Sequence, residues 1–123
     1  MDKLAFGWTW DCLVDYTNLV GKIEDYNQKY DVKVIGESLF KRKIFAVEKV
    51  VDPSLSTAIL VASCHAREHI TTDLVCKFLD EGLFDETLDF NVSVIPMENP
   101  DGVELCCHGA PSAPLSEREN LID

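Results

Sequence analysis

The chain has 123 residues, 46% of them hydrophobic, with 11 Lys and Arg against 22 Asp and Glu and a formal net charge of −11. That length suits one domain with a real core and leaves little room for a second, and the hydrophobic share argues for a folded chain. The charge opposes binding to a phosphate backbone, so nucleic acid is not expected as a partner and the acidity reads as a solubility feature.

Residues 13–30 read as an amphipathic helix, because Leu13, Tyr16, Leu19, Val20, Ile23 and Tyr26 recur at three- and four-residue steps. Val32 to Glu37 and Ile44 to Val51 read as two strands joined through Ser38 to Lys43, with a break at Asp52-Pro53-Ser54. Residues 57–63 are apolar at both alternate positions, the pattern of a strand covered on both faces. Helical spacing returns from Ile70 to Phe84 through Leu74, Phe78 and Leu79, and Gly82 lies near its end. Phe90 to Pro96 is a further strand, followed by the dense turn signal Asn99-Pro100-Asp101-Gly102. Gly109, Pro111 and Pro114 mark a loop, after which Leu115 to Ile122 starts a short helix.

Helix, two strands, strand, helix, strand predicts an α/β fold with a mixed sheet. The first two strands form a hairpin and the last two a parallel crossover unit. Sites in such sheets lie beyond the carboxyl ends of strands, where His65 follows one strand and Asn99 another. The start, Met1 to Trp8, lacks a basic region followed by an apolar core, so no signal peptide is expected. No apolar run approaches the roughly 18 residues of a membrane span. Five cysteines (Cys12, Cys64, Cys76, Cys106 and Cys107) form an odd set without framework spacing, which fits reduced thiols and a cytoplasmic location. Trp8 and Trp10 read as packing or interface aromatics.

The chemistry concentrates in His65-Ala66-Arg67-Glu68. An imidazole and a carboxylate three residues apart at a strand–helix junction can turn to one point, and both are ordinary zinc ligands. The bland alternative is a polar pair at a helix start, where an acid favours the dipole. With His69 the segment also matches the H-x-x-E-H of inverzincins, which places both histidines on one helical face. Because the residues before His65 are strand-like, the helix is expected to begin after it and His69 to point elsewhere. Asn99 to Gly102 taken alone is a tight turn, with Pro100 holding Asn99 extended and Gly102 free to take a positive φ.

Val34-Ile35-Gly36-Glu37-Ser38 with Arg42 and Ile44, then Ala62 to Thr71 around HARE, then Ile95 to Leu105 around NPDG, fall in one order over nearly the whole chain. In these segments the chain resembles the zinc carboxypeptidases of the carboxypeptidase A type, in the bacterial branch related to gamma-D-glutamyl-diamino acid endopeptidases. The resemblance implies one zinc ion with His65 and Glu68 as the first two ligands, Arg67 lining the peptide-binding cleft, and Asn99, Pro100, Asp101 and Gly102 as a turn supporting the site. It implies a peptide substrate, either a free carboxyl end or a bacterial cell-wall peptide. Lys41 departs from the pattern, since the family usually has Gly just before the matching Arg, and this bears on the shape of the first hairpin. The family's third zinc ligand, its substrate-gripping arginines, its tyrosine and its general-base Glu match nothing before Asp123. Residues 1–123 therefore read as the N-terminal part of a catalytic domain, inactive alone, with an unpaired sheet edge open to self-association. The rival readings are a non-catalytic binding module or remnant, and a metal-binding protein using Cys106, Cys107 and His108 or Cys64.

Overall fold

The computed structural model describes residues 14–85 and 88–108. Leu13, the two tryptophans, Cys12 and the expected loop and helix after Gly109 lie outside the described residues. Helix α1 (Tyr16–Tyr26) starts where Asp15, in an extended conformation, accepts a hydrogen bond from the Asn18 amide at 2.8 Å. This cap satisfies one of the orphan amides of the first turn, and it places the helix start later than hydrophobic spacing alone suggested. Leu19, Ile23 and Tyr26 form the buried face.

Strands β1 (Asp31–Glu37) and β2 (Lys43–Lys49) pair antiparallel, with Val32 opposite Val47 and Val34 opposite Phe45. The register shifts between Val34 and Gly36, leaving Ile35 as the extra residue of a bulge. At the turn, Lys41 takes φ 67°. The left-handed turn that glycine would favour is thus kept with a lysine, at a cost of roughly 1–2 kcal/mol.

β3 (Thr57–Val61), α2 (Ile70–Asp80) and β4 (Asn91–Ile95) make the crossover unit, β3 pairing parallel with β4 and β4 antiparallel with β2. The sheet order is β1-β2-β4-β3, so the mixed α/β sheet expected from the element order is the one observed. One expectation fails. Among the described residues β3 is an edge strand, with Ile59 65% and Val61 49% exposed, whereas β4 is the strand buried at four successive residues. An apolar run shows only that a strand is hydrophobic; which strand is central depends on pairing that hydrophobicity does not encode.

Phe45, Val47, Val92 and Val94 lie on one face of the sheet and share a core cluster with Leu19 and Ile23 of α1, Val75 and Leu79 of α2, and Val103. Burying each such side chain contributes about 1.5–3 kcal/mol. The opposite face carries Ile59 and Val61, beside the small side chains of Ala46 and Ser93. α2 stops four residues before Phe84 because Gly82 takes φ 68° and Leu83 donates back to the Phe78 carbonyl.

A second expectation changes at NPDG. Pro100 is the first residue of α3 (Pro100–His108), and the Asn99 side chain accepts from the Gly102 amide at 3.0 Å. Gly102 is therefore helical, and Gly82 is the glycine with positive φ among those described. Asn, Pro and Asp are the cap, first-position and first-turn residues of a helix as much as they are turn formers. The segment opens a helix.

Candidate metal and substrate site at the carboxyl end of the sheet

The parallel pairing of β3 with β4 continues past both strands. The Ala62 amide donates to the Ile95 carbonyl at 2.9 Å, Glu98 donates to Ala62 at 2.9 Å, and Asn99 donates to Ser63 at 3.0 Å. Ser63 is 1% exposed and held at φ 51°, a strained value for a residue with a Cβ. Its amide donates to the Thr71 hydroxyl at 2.8 Å, and Thr71 donates onward to the Glu68 carbonyl at 2.7 Å. Its own hydroxyl lies 2.6 Å from Thr72 Oγ1, which in turn donates to the Pro96 carbonyl at 2.5 Å. A hydroxyl has one proton, so Ser63 is the donor to Thr72. No local spacing of Ser63, Thr71 and Thr72 signals this clamp in the sequence.

This clamp launches His65. It is extended (φ −105°, ψ 142°) and precedes a 3₁₀ turn, Ala66–Glu68, in which the Glu68 amide donates to the His65 carbonyl at 3.1 Å. Ala66 is fully buried and anchors the turn, while His65, Arg67 and Glu68 are exposed at the end of the sheet. His69 is helical, its Nδ1 is 3.4 Å from the Ala66 carbonyl, and α2 begins only at Ile70. His65 and His69 therefore do not share one helical face, which the inverzincin arrangement requires. An imidazole and a carboxylate on a backbone fixed from several sides fit two zinc-ligand positions by donor chemistry.

The thiols are poorly prepared to join them. A hydrogen bond with Glu98 raises the Cys64 thiol above its ordinary value, helped by burial and by the charges of Glu98 and Glu68. Burial raises Cys106 against a lowering influence from Arg67, and burial followed by Glu104 and Asp15 pushes Cys107 up to about 11. The thiolate is the metal-binding form, and all three environments disfavour it. His108 instead lies 2.9 Å from Asp15, and among the described residues Asp15, Glu104 and His108 bring one ligand atom each within 4.8 Å of the others.

Asp101 is 4% exposed, and it ties the β1–β2 turn to α3. Its carboxylate accepts from Ser38 Oγ at 2.7 Å, the Phe40 amide at 3.0 Å and Arg42 at 2.8 Å. The Ser38 hydroxyl also accepts from the Arg42 amide at 2.9 Å. Arg42 lies over the Tyr16 ring, 6.0 Å from its centroid. The three segments that carried the resemblance are thus physically joined: hairpin turn to Asp101, the start of α3 to Asn99, and Asn99 to Ser63 beside His65.

A sequence model of the zinc carboxypeptidase family matches residues 16–113, and the chain belongs to that family. Among solved structures it is similar to bovine thrombin-activatable fibrinolysis inhibitor in complex with tick carboxypeptidase inhibitor, at 15% identity and a TM-score of 0.70, covering 80% of this chain and 35% of that one. It is also similar to carboxypeptidase A from Helicoverpa armigera (18%, TM-score 0.60, 86% and 29%) and to a metallo-carboxypeptidase from Pseudomonas aeruginosa (19%, TM-score 0.56, 76% and 27%). The chain spans about a third of these structures' length. A search of curated proteins finds no match. No helix among the described residues is long and apolar enough to cross a membrane.

Proposed function

We propose that this chain contributes part of the active site of a zinc-dependent peptide hydrolase, with His65 and Glu68 as two of the metal's ligands. The observation that carries the proposal is the His65–Glu68 turn itself, exposed at the carboxyl end of β3 on a backbone clamped through Ser63, Thr71 and Asn99. Residues 1–123 correspond in this reading to the N-terminal part of the catalytic domain.

When bound, zinc supplies Lewis acidity toward a peptide carbonyl and lowers the pKa of a coordinated water. The chain's own residues do the holding. His65 offers a ring nitrogen and Glu68 a carboxylate oxygen, from backbone positions joined by the Glu68 amide on the His65 carbonyl. Arg67, exposed on the same turn, supplies a cation to the peptide cleft. Asn99 to Gly102 hold the neighbouring loop from behind, through the Asn99 amide on Ser63. The substrate class is a peptide cut near its free carboxyl end or a bacterial cell-wall peptide.

A third ligand and a general base match no residue here, so the 123-residue polypeptide alone is expected to bind zinc weakly and to hydrolyse no peptide. Zinc calorimetry on that polypeptide tests the assignment. His65→Ala should remove one binding equivalent, and Glu68→Gln should weaken the same equivalent by at least about 10-fold, the lower end of what even outer partners contribute. Stoichiometry and affinity unchanged by both substitutions would sink the assignment. Hydrolysis of C-terminal dipeptides or cell-wall peptides that depends on His65 would show that the polypeptide holds a complete site.

A further inference from the structure

Where the start of α1 meets the end of α3, three donor atoms converge that the His65–Glu68 turn does not use. His108 Nε2 is 2.9 Å from Asp15 Oδ2 and 3.8 Å from Glu104 Oε2. The other oxygen of each carboxylate is already committed to a backbone amide. Asp15 Oδ1 accepts from Asn18 at 2.8 Å, and Glu104 Oε1 accepts from Tyr16 at 2.7 Å. Each carboxylate is thereby oriented by one oxygen and presents the other to the imidazole. Outer hydrogen bonds of this kind fix ligands in metal sites.

The local field also favours a cation. The two carboxylate side chains are 21% and 17% exposed, and among the described residues neither pairs with a lysine or arginine. A protonated His108 would neutralise only one of them. Nearby, Asp73 Oδ2 is buried with no hydrogen-bond partner among the described residues. The other oxygen of Asp73 accepts from the Val14 amide at 2.7 Å, which places this third carboxylate against the residue next to Asp15.

We propose that Asp15, Glu104 and His108 form a second divalent-cation site, one that staples α1 to α3. One imidazole with two carboxylates suits zinc or a similar transition ion, since the nitrogen donor discriminates against calcium and magnesium. Three protein ligands leave room for water, as in open zinc sites. The site joins residues 93 apart in sequence, so metal binding there is coupled to folding.

The test uses the full 123-residue chain carrying His65→Ala and Glu68→Ala, so that the family's own ligand pair is absent. Zinc calorimetry, cobalt absorbance and thermal melts in zinc should then show one remaining equivalent, a cobalt spectrum without a thiolate charge-transfer band, and a raised Tm. Adding His108→Ala should weaken binding at least about 10-fold and abolish the Tm rise. Adding Glu104→Gln in its place should do the same while keeping an acceptor for the Tyr16 amide, and circular dichroism verifies that each variant is folded. No binding to the His65→Ala/Glu68→Ala chain overturns the proposal. So does binding that survives both added substitutions, or a thiolate band that Cys106→Ser/Cys107→Ser removes. Failure here leaves the equivalent that depends on His65 untouched, and failure there leaves this one, so the two assignments are judged separately.

Discussion

Replacing Asp101 with alanine tests whether the motif segments form one mechanical unit. The side chain is 4% exposed and accepts from a hydroxyl, an amide and a guanidinium at once, next to the start of α3. Removing one partner of a buried pair costs about 3–5 kcal/mol. Arg42 keeps 32% of its side-chain surface in solvent, so it rehydrates and this part falls below that range, to about 1.5 kcal/mol, the low end for a hydrogen bond to a charged group. The stranded Phe40 amide adds about 1 kcal/mol or more, and the lost charge at the helix start about 0.3–1 kcal/mol. A destabilisation of about 3 kcal/mol is expected, a large share of the roughly 5–15 kcal/mol of a typical domain. Urea unfolding followed by circular dichroism should show the midpoint falling with an unchanged slope, and Tm dropping by about 10 °C. Asp101→Asn should lie between wild type and alanine, and a double-mutant cycle with Arg42→Ala should give a coupling of about 1.5–3 kcal/mol. A loss below about 1 kcal/mol with no coupling would refute the idea that Asp101 joins the hairpin to α3.

Lys41→Gly should stabilise the chain by about 0.5–1 kcal/mol in the same unfolding assay. It relieves the left-handed backbone and loses only an exposed contact with Glu37, worth little. Ser63→Ala should cost about 1–2 kcal/mol, because Thr72 keeps its bond to Pro96 but loses the buried donor beside it; an unchanged melt would dismiss the clamp. Lys33, 2.7 Å from Glu48, holds that carboxylate's pKa below its ordinary value, through a hydrogen bond first and its charge as a smaller cause. The folded pKa is the lower one, so the stabilisation is present above the unfolded value and is lost as pH falls through the folded one. Glu48→Gln should therefore cost up to about 1 kcal/mol at neutral pH and nothing in strong acid, and a cost that persists at low pH would point to packing instead.

The pattern of residues made some links of this chain legible and hid others. Helices and strands followed from the spacing of Leu19, Ile23 and Tyr26 and from the apolar runs, and strand–helix–strand order correctly gave the parallel pairing of β3 with β4. Edge and centre were not legible. Ile59 and Val94 look alike in sequence, yet one lies on an edge strand and the other between two neighbours. NPDG misled because Asn, Pro and Asp serve tight turns and helix starts by similar local chemistry, and only continuation through Val103 and Leu105 distinguishes them. The His65–Glu68 turn was visible from its types and position. The Ser63–Thr72 clamp and the approach of Asp15 to the Glu104–His108 pair were not, since these partners lie 9 to 93 residues apart and no local spacing records them.

The ladder between β3 and β4 does not stop where the strands do, because Ala62 and Ser63 still receive the amides of Glu98 and Asn99. A catalytic loop usually belongs to the least protected part of a domain, opening and closing while the core stays shut. Here the backbone leading to His65 is sewn into the same cooperative unit as the central strand. Freeing that turn means unzipping the end of β4 and uncapping α3 together. Its opening free energy is then expected to approach that of global unfolding, and the backbone of the His65–Glu68 turn forms together with the core.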